Sequence, residues 1–273
     1  MPSEKTQALI EKGREFIRYD AVDDDEFELT DQQKKLPQPP LTKEKMSQRQ
    51  IKLPIDFQGL NLKNDIISII RDRESHRVYT DNEMTLTQLA YLLWATQGIK
   101  SIRGNNYATL RTVPSGGARH EFETYLVIRN VEGLSPGMYH YLPLTHQIEF
   151  LSKLENMEDQ LTEALSEQRW AAKANVVFIW TVIPYRSEWR YTHFAHRIIL
   201  VDIGYVSQNL YIACESIGLG TCAIGAFDRK KCDSLIGLNT EDEFTILASP
   251  VGTVIQSNKD KEQDFYAFLK QEE

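Results

Sequence analysis

Arg73, Ser75 and Arg77 stand at alternate positions in the run Arg71-Asp72-Arg73-Glu74-Ser75-His76-Arg77. In an extended chain successive side chains point to opposite sides, so two guanidiniums and the hydroxyl between them share one face. Such a face is a clasp for a phosphate, each charge-assisted hydrogen bond contributing on the order of 1.5 to 3 kcal/mol. The same residues also fit a solvated charged helix end, and alternation alone leaves both readings open. Pro114-Ser115-Gly116-Gly117-Ala118 stands immediately before an apolar run that reads as a strand. Two adjacent glycines let the backbone lie against a flat ligand, and the Ser115 hydroxyl can bond a ring heteroatom; a plain surface turn is the competing reading. Ile224-Gly225-Ala226 is another small-residue approach point, whose amides can donate to a ligand or simply close a tight turn. Trp189-Arg190-Tyr191 falls between a buried strand and a long helix, and a loop is expected there, roofing a cleft. From it Tyr191 can give or take a proton, or merely pack against the helix start. Arg190 stays charged at neutral pH and can act only electrostatically.

Other chemistries lack their residues. Gly218-Leu219-Gly220 follows a helix and has no third glycine, so it is no dinucleotide fingerprint, and no P-loop, HExxH or G-x-S-x-G pattern occurs. His193 and His196 have no carboxylate at ligand spacing, and no metal is expected. Cys214, Cys222 and Cys232 form neither a CxxC pair nor an even set, which fits a reducing cytoplasm better than a disulfide framework. With 31 basic against 39 acidic residues the net charge is −8, so no overall field attracts nucleic acid or an anionic membrane. The apolar run 174–185 is too short to span a bilayer, and the first residues lack the apolar core of a secretion signal.

The elements that must position these residues follow from periodicity. Residues 1–55 read as an extension with an amphipathic stretch (Leu9, Ile10, Phe16, Ile17), an acidic run 23–26 and the extended Leu36-Pro37-Gln38-Pro39-Pro40, expected to wrap the single unit 56–273. Thr85 with Gln88 makes a capping box, after which Leu86, Leu89, Leu92 and Leu93 keep helical spacing until Gly98. Segments 122–129, 137–141 and 147–151 read as an antiparallel meander, 158–170 as a helix and 175–183 as a buried strand. Over 195–217 the apolar residues Ile199, Ile203, Val206, Leu210, Ala213 and Ile217 fall 4, 3, 4, 3 and 4 apart. A neighbouring line of mostly small residues, with Gly204, Ser207, Tyr211, Cys214 and Gly218, allows close approach on a second side. That suits a dimer helix as well as an ordinary core helix. A short strand 221–224, a helix 228–236 and a strand 244–251 complete the reading.

In order along residues 30–252 these pieces resemble the SagB/ThcOx-type dehydrogenases of the flavin-dependent nitroreductase superfamily. The likeness rests on R-x-S-x-R, the PSGGA turn, G-M-Y-H-Y (137–141), D-I-G-Y-V-S-Q-N-L (202–210) and G-L-G-T-C-A-I-G-A-F-D (218–228), with a similar lead-in at 30–40. The resemblance implies an α+β three-layer sandwich, with a central mixed, mainly antiparallel sheet flanked by helices. It further implies a homodimer with FMN in each inter-subunit cleft. Arg73, Ser75 and Arg77 would hold the FMN phosphate; Pro114, Ser115, Gly116 and Gly117 would approach the ring from the other subunit; Ile224, Gly225 and Ala226 would line its N5 edge. The implied activity is hydride transfer through flavin N5 to or from a small molecule or modified peptide, with Tyr191 and Arg190 at the reacting edge. An NAD(P)H-dependent nitro or quinone reductase and a non-catalytic flavin-binding module are the alternatives. Three positions depart from the family: Arg190-Tyr191 stands where azoline-oxidising members resemble one another in Lys-Tyr, His120-Glu121 replaces a tyrosine-proline step, and no basic residue directly follows Gly252. Lys259 or Lys261 would then serve the phosphate.

Overall fold

The computed structural model describes residues 3–18, 29–238 and 241–255; the acidic run 23–26 and Lys259 and Lys261 lie outside them. In chain order its elements are α1 (Glu4–Arg18), β1 (Gln50–Lys52), α2 (Ile66–Asp72), α3 (Leu86–Gln97), β2 (Ile99–Arg103), β3 (Ala108–Arg111), β4 (Phe122–Ile128), β5 (Gly137–Leu142) and β6 (Gln147–Ser152). Then come α4 (Met157–Ala164), β7 (Val176–Val182), α5 (Tyr185–Tyr191), α6 (Ala195–Ser216), β8 (Leu219–Thr221), α7 (Arg229–Ile236) and β9 (Phe244–Thr253).

One sheet orders its strands β1-β6-β5-β4-β7-β9-β8, every neighbouring pair antiparallel. The parallel contribution is confined to an isolated bridge between Met84 and Val131. All seven residues of β4 and all seven of β7 are buried, because helices cover both faces of the sheet's centre. Phe122, Leu126, Phe178 and Trp180 point to the layer of α3 and α6, meeting Leu89, Leu93, Ile199 and Leu210. Tyr125, Val127, Val177 and Ile179 point the other way, to Leu161 and Ala164 of α4 and Cys232 of α7. Each fully buried large side chain contributes roughly 1.5 to 3 kcal/mol, which makes this centre a rigid floor.

The capping box forms as expected: Thr85 Oγ1 accepts from the Gln88 amide at 3.1 Å, and Gln88 Oε1 accepts from the Thr85 amide at 2.9 Å. The helix expected over 158–170 ends instead at Ala164, since Ser166 and Glu167 take left-handed backbone at φ 55° and 63°. The short strand starts two residues earlier than expected and ends three earlier, at Leu219–Thr221, leaving Ile224 in a single bridge to Ala248. Residues 189–191 form the last turn of α5 rather than a loop.

Residues 29–52 run over the outside of this sandwich, tied by specific donors and acceptors. The Trp189 indole donates to Leu36 O (3.1 Å), and Arg111 donates to Leu41 O (3.1 Å). β1 adds an edge strand to β6. Beneath this strap a buried chain of charges joins Arg186, Glu123, His140 and Glu149, with His140 at 3.0 Å from Glu123 and 2.8 Å from Glu149. Burial alone would raise the Glu123 pKa, but Arg186 and then His140 outweigh it and hold the carboxyl below the usual range.

Candidate functional site

α2 stops at Asp72, and Arg73 leaves it with extended backbone (φ −57°, ψ 121°). The solvated helix end of the competing reading is supplied by Arg71 and Asp72, paired at 2.7 Å. Beyond them the chain runs along β8, where the His76 amide donates to Thr221 O at 2.9 Å. The Arg73 guanidinium lies over the Tyr211 ring, 5.3 Å from its centroid, and Ser75 Oγ is 3.0 Å from the Tyr211 hydroxyl. That hydroxyl also accepts from the Ala223 amide at 2.8 Å. Arg77 reaches the Trp170 ring at 5.9 Å, and the neighbouring Gln168 amide donates to Ala226 O at 2.9 Å. Two segments about 150 residues apart in sequence are thereby gathered at the C-terminal half of α6. The Ile224 N–H donates to Ala248 O (2.8 Å) and its carbonyl accepts from the Ala248 amide (3.3 Å). Gly225 and Ala226 are exposed, and nothing lies within 4 Å of where a Gly225 Cβ would stand.

The PSGGA turn packs against the N-terminal half of α6. The Gly116 amide donates to Asp202 Oδ2 at 2.7 Å. Ser115 Oγ accepts from the His120 amide at 2.9 Å and faces Glu121 Oε2 at 3.4 Å, so this hydroxyl is already engaged within the chain. Gly117 has φ 57°, and a Cβ there would stand 2.6 Å from the Tyr191 hydroxyl and 2.7 Å from Arg190 Cδ and Nε. A Cβ at Gly116 would strike Ile198. Both glycines are thus required by packing against α5 and α6. Pro114, Ser115, Gly116, Val201, Asp202 and Tyr205 wall a surface cleft of about 580 Å³.

Electrostatics separate the carboxyls around this turn. Burial, then the neighbouring Asp202, pushes Glu121 up to about 7, and its Oε1 is buried with no hydrogen-bond partner among the described residues. Burial likewise raises Asp202, opposed by its hydrogen bond from Gly116. Arg190 Nη1 donates to the Tyr107 hydroxyl at 2.7 Å, whereas the Tyr191 hydroxyl has no hydrogen bond among the described residues.

Compared with known families, residues 70–253 match the model of the nitroreductase family. The chain belongs to that family. It is 31% identical over 76% of its length to a nitroreductase-type protein of Methanocaldococcus jannaschii, 98% of which is covered. It is also 31% identical, over half its length, to the trifolitoxin-processing protein TfxB of Rhizobium leguminosarum bv. trifolii, of which it spans 39%. A solved nitroreductase-type structure from Ralstonia eutropha shares the fold, with TM-score 0.62 and 24% identity over 81% of this chain and 95% of that one. The chain is further 26% identical, over 40% of its length, to the microcin B17-processing protein McbC of Escherichia coli, of which it spans 42%. Membership implies oxidoreductase activity, and members of the family typically bind flavin. Among the described residues no helix is long and apolar enough to cross a membrane, and no three His, Cys, Asp or Glu side chains are grouped to hold a metal ion.

The structure therefore gathers Arg73, Ser75, Arg77, Gly225 and Ala226 at one end of α6, and Pro114–Gly117, Arg190 and Tyr191 at the other. Sequence reasoning missed Tyr211 as the hub of the first group. It also missed Tyr107, Arg119, Glu121 and Asp202 around the second. An aromatic ring in the otherwise small line Gly204-Ser207-Cys214 was the available signal for Tyr211.

Proposed function

We propose that this nitroreductase-family chain is an FMN-dependent oxidoreductase of the SagB/ThcOx type, a homodimer that exchanges a hydride with a small molecule or modified peptide. The observation that carries the reading is the division of the site along α6. Asp202 and Tyr211 are nine residues apart, roughly 14 Å at 1.5 Å per residue. A second copy packed face to face brings the turn of one protomer over the clasp of the other. Supporting this, Leu200, Val201 and Tyr205 on α6 and Ile66, Ile67 and Ile70 on α2 are exposed, the last group at 54%, 72% and 61%.

The residues present fit the group. Arg73 and Arg77 supply the charge for a phosphate dianion and Ser75 a hydroxyl, while Gly225 leaves room for the approach of a flat ring. When bound, FMN supplies the two-electron chemistry, with hydride exchange at N5. Gly225 and Ala226 offer backbone donors, Pro114 to Gly117 press from the partner subunit, the Tyr191 hydroxyl holds or moves a proton, and Arg190 acts through its charge. The relation to TfxB supports a peptide substrate; the longer match to the archaeal nitroreductase-type protein supports the reductase alternative.

The test is the absorption spectrum of the purified protein, followed by titration with FMN and riboflavin under light scattering. Bound FMN in a dimer is expected. A monomer that binds FMN stoichiometrically removes the shared site, and equal affinity for riboflavin removes the clasp. Bleaching of the bound flavin by NAD(P)H decides for the reductase.

A further inference from the structure

Three guanidiniums converge on Tyr107. Arg119 and Arg103 lie 5.0 Å and 5.7 Å from its ring centroid, and Arg190 donates to its hydroxyl at 2.7 Å. Among the described residues none of the three is ion-paired. The groups that weigh most on Arg119, after its own desolvation, are Tyr107, Arg190, Tyr191 and Arg103, with no carboxylate among them. Tyr107 takes its second hydrogen bond from the neutral Gln32 side chain at 2.8 Å, where an acid would have neutralised the cluster. The carboxyls nearest the adjoining turn, Glu121 and Asp202, are themselves held toward their neutral forms by burial. In a chain with net charge −8, the corner beside Gly117 is thus cationic with no compensating carboxylate among the described residues.

The three arginines do different things. Arg119 is only 4% exposed, donates through Nε to Gly117 O (3.0 Å) and through Nη2 to Tyr107 O (3.1 Å), and lies over the Trp189 ring. It is a fixed pillar. Arg103 is exposed and adds charge at the rim. Arg190 is anchored through Nη1 alone among the described residues, and its Cδ and Nε stand beside Gly117, as does the Tyr191 hydroxyl. A guanidinium held at one corner presents a planar pair of donors that matches a carboxylate in two parallel hydrogen bonds.

We infer that the substrate carries a carboxylate, and that Arg190, backed by Arg103 and Arg119, is the residue that selects it. This rests on the proposed function in placing the substrate at the Gly117 and Tyr191 edge. It adds the substrate's charge and the group that reads it.

Isothermal titration of the full chain, as purified, with benzoate and with its neutral isostere benzamide tests the inference. Benzoate is expected to bind at least tenfold tighter, with the preference shrinking as salt is raised. Arg190→Gln should abolish the preference, Arg190→Lys should keep part of it, and Tyr107→Phe should weaken benzoate while leaving benzamide unchanged. Arg103→Gln, at an exposed position that folding tolerates, should lower benzoate affinity severalfold. Equal binding of the two probes, no binding of benzoate, or a preference that survives both Arg190→Gln and Arg103→Gln overturns the inference. A flavin-free protein that still prefers benzoate overturns the proposed function instead. A flavin-loaded protein indifferent to charge overturns only the carboxylate.

Discussion

The two ends of α6 are built in contrasting ways. At the Tyr211 end one hydroxyl joins Ser75 to Ala223, and the charged side chains Arg73 and Arg77 rest on aromatic faces. At the Asp202 end the backbone itself is wedged: Gly116 and Gly117 touch Ile198, Arg190 and Tyr191, and buried carboxyls stand behind them. The first end is organised by hydrogen bonds and by guanidiniums lying over aromatic rings. The second is fixed by steric fit and carries unbalanced electrostatics, the arrangement expected where a group must meet a reacting centre rather than merely hold a ligand.

The strongest attempt to break this contrast is Arg73→Ala with Arg77→Ala. Two charge-assisted hydrogen bonds of about 1.5 to 3 kcal/mol each amount to a loss of roughly 10² to 10⁴ in affinity for FMN. Riboflavin, which has no phosphate, should be little affected. Quenching of flavin fluorescence on binding measures both, and undiminished FMN affinity would move the cofactor function away from the Tyr211 end.

The Asp202 end can be probed through Glu121 by pH. Its folded-state pKa of about 7 exceeds the ordinary 4.5, so the folded chain retains a proton that the unfolded chain gives up. Stability therefore falls as pH rises from about 4.5 to about 7, by about 3 kcal/mol once both states are ionised. Glu121→Gln removes the titration. Its melting temperature should exceed that of the parent by several degrees near pH 8 and match it near pH 4. A variant no more stable at alkaline pH would show that this carboxyl is compensated and that the strain lies elsewhere.

Much of this was legible in local sequence. The capping box at Thr85 and Gln88, the apolar runs that became β4 and β7, and the α6 stripe are all set by residues within a turn or two of each other. What escaped was long-range or conformational. Ser75 and Tyr211 are 136 positions apart, and only the packing of α2 and β8 on α6 brings them together. The left-handed backbone at Ser166 and Glu167, which ends α4 early, uses residue types that carry no such signal. Arg190 and Tyr191 were read as loop residues, but α5 continues through both, and it is the helix that aims them at Gly117.

Tyr191→Phe sharpens the comparison with a smaller expected effect. The ring that packs near Gly117 stays, and the hydroxyl goes. Flavin content and melting temperature should be unchanged while substrate-dependent flavin reduction, followed by stopped flow, slows at least tenfold. Unchanged kinetics would assign Tyr191 to packing and make the Asp202 end structural.

Tyr211→Phe should have the smallest effect, and it bears most directly on how the Tyr211 end is organised. The substitution keeps the ring beneath Arg73 but removes the hydroxyl that Ser75 and Ala223 share. One net hydrogen bond is worth about 0.5 to 1.5 kcal/mol, and because Tyr211 is half-buried, water can reach the amide left behind. FMN affinity should therefore drop about two- to tenfold. Riboflavin should lose less, since only the link to Ala223 bears on the ring while the link to Ser75 bears on the phosphate. If the melting temperature falls but both affinities hold, Tyr211 merely supports the fold, and the clasp and the Gly225 loop act independently. An equal loss for both flavins would place the whole effect on the Gly225 side, leaving Ser75 without a part in phosphate binding.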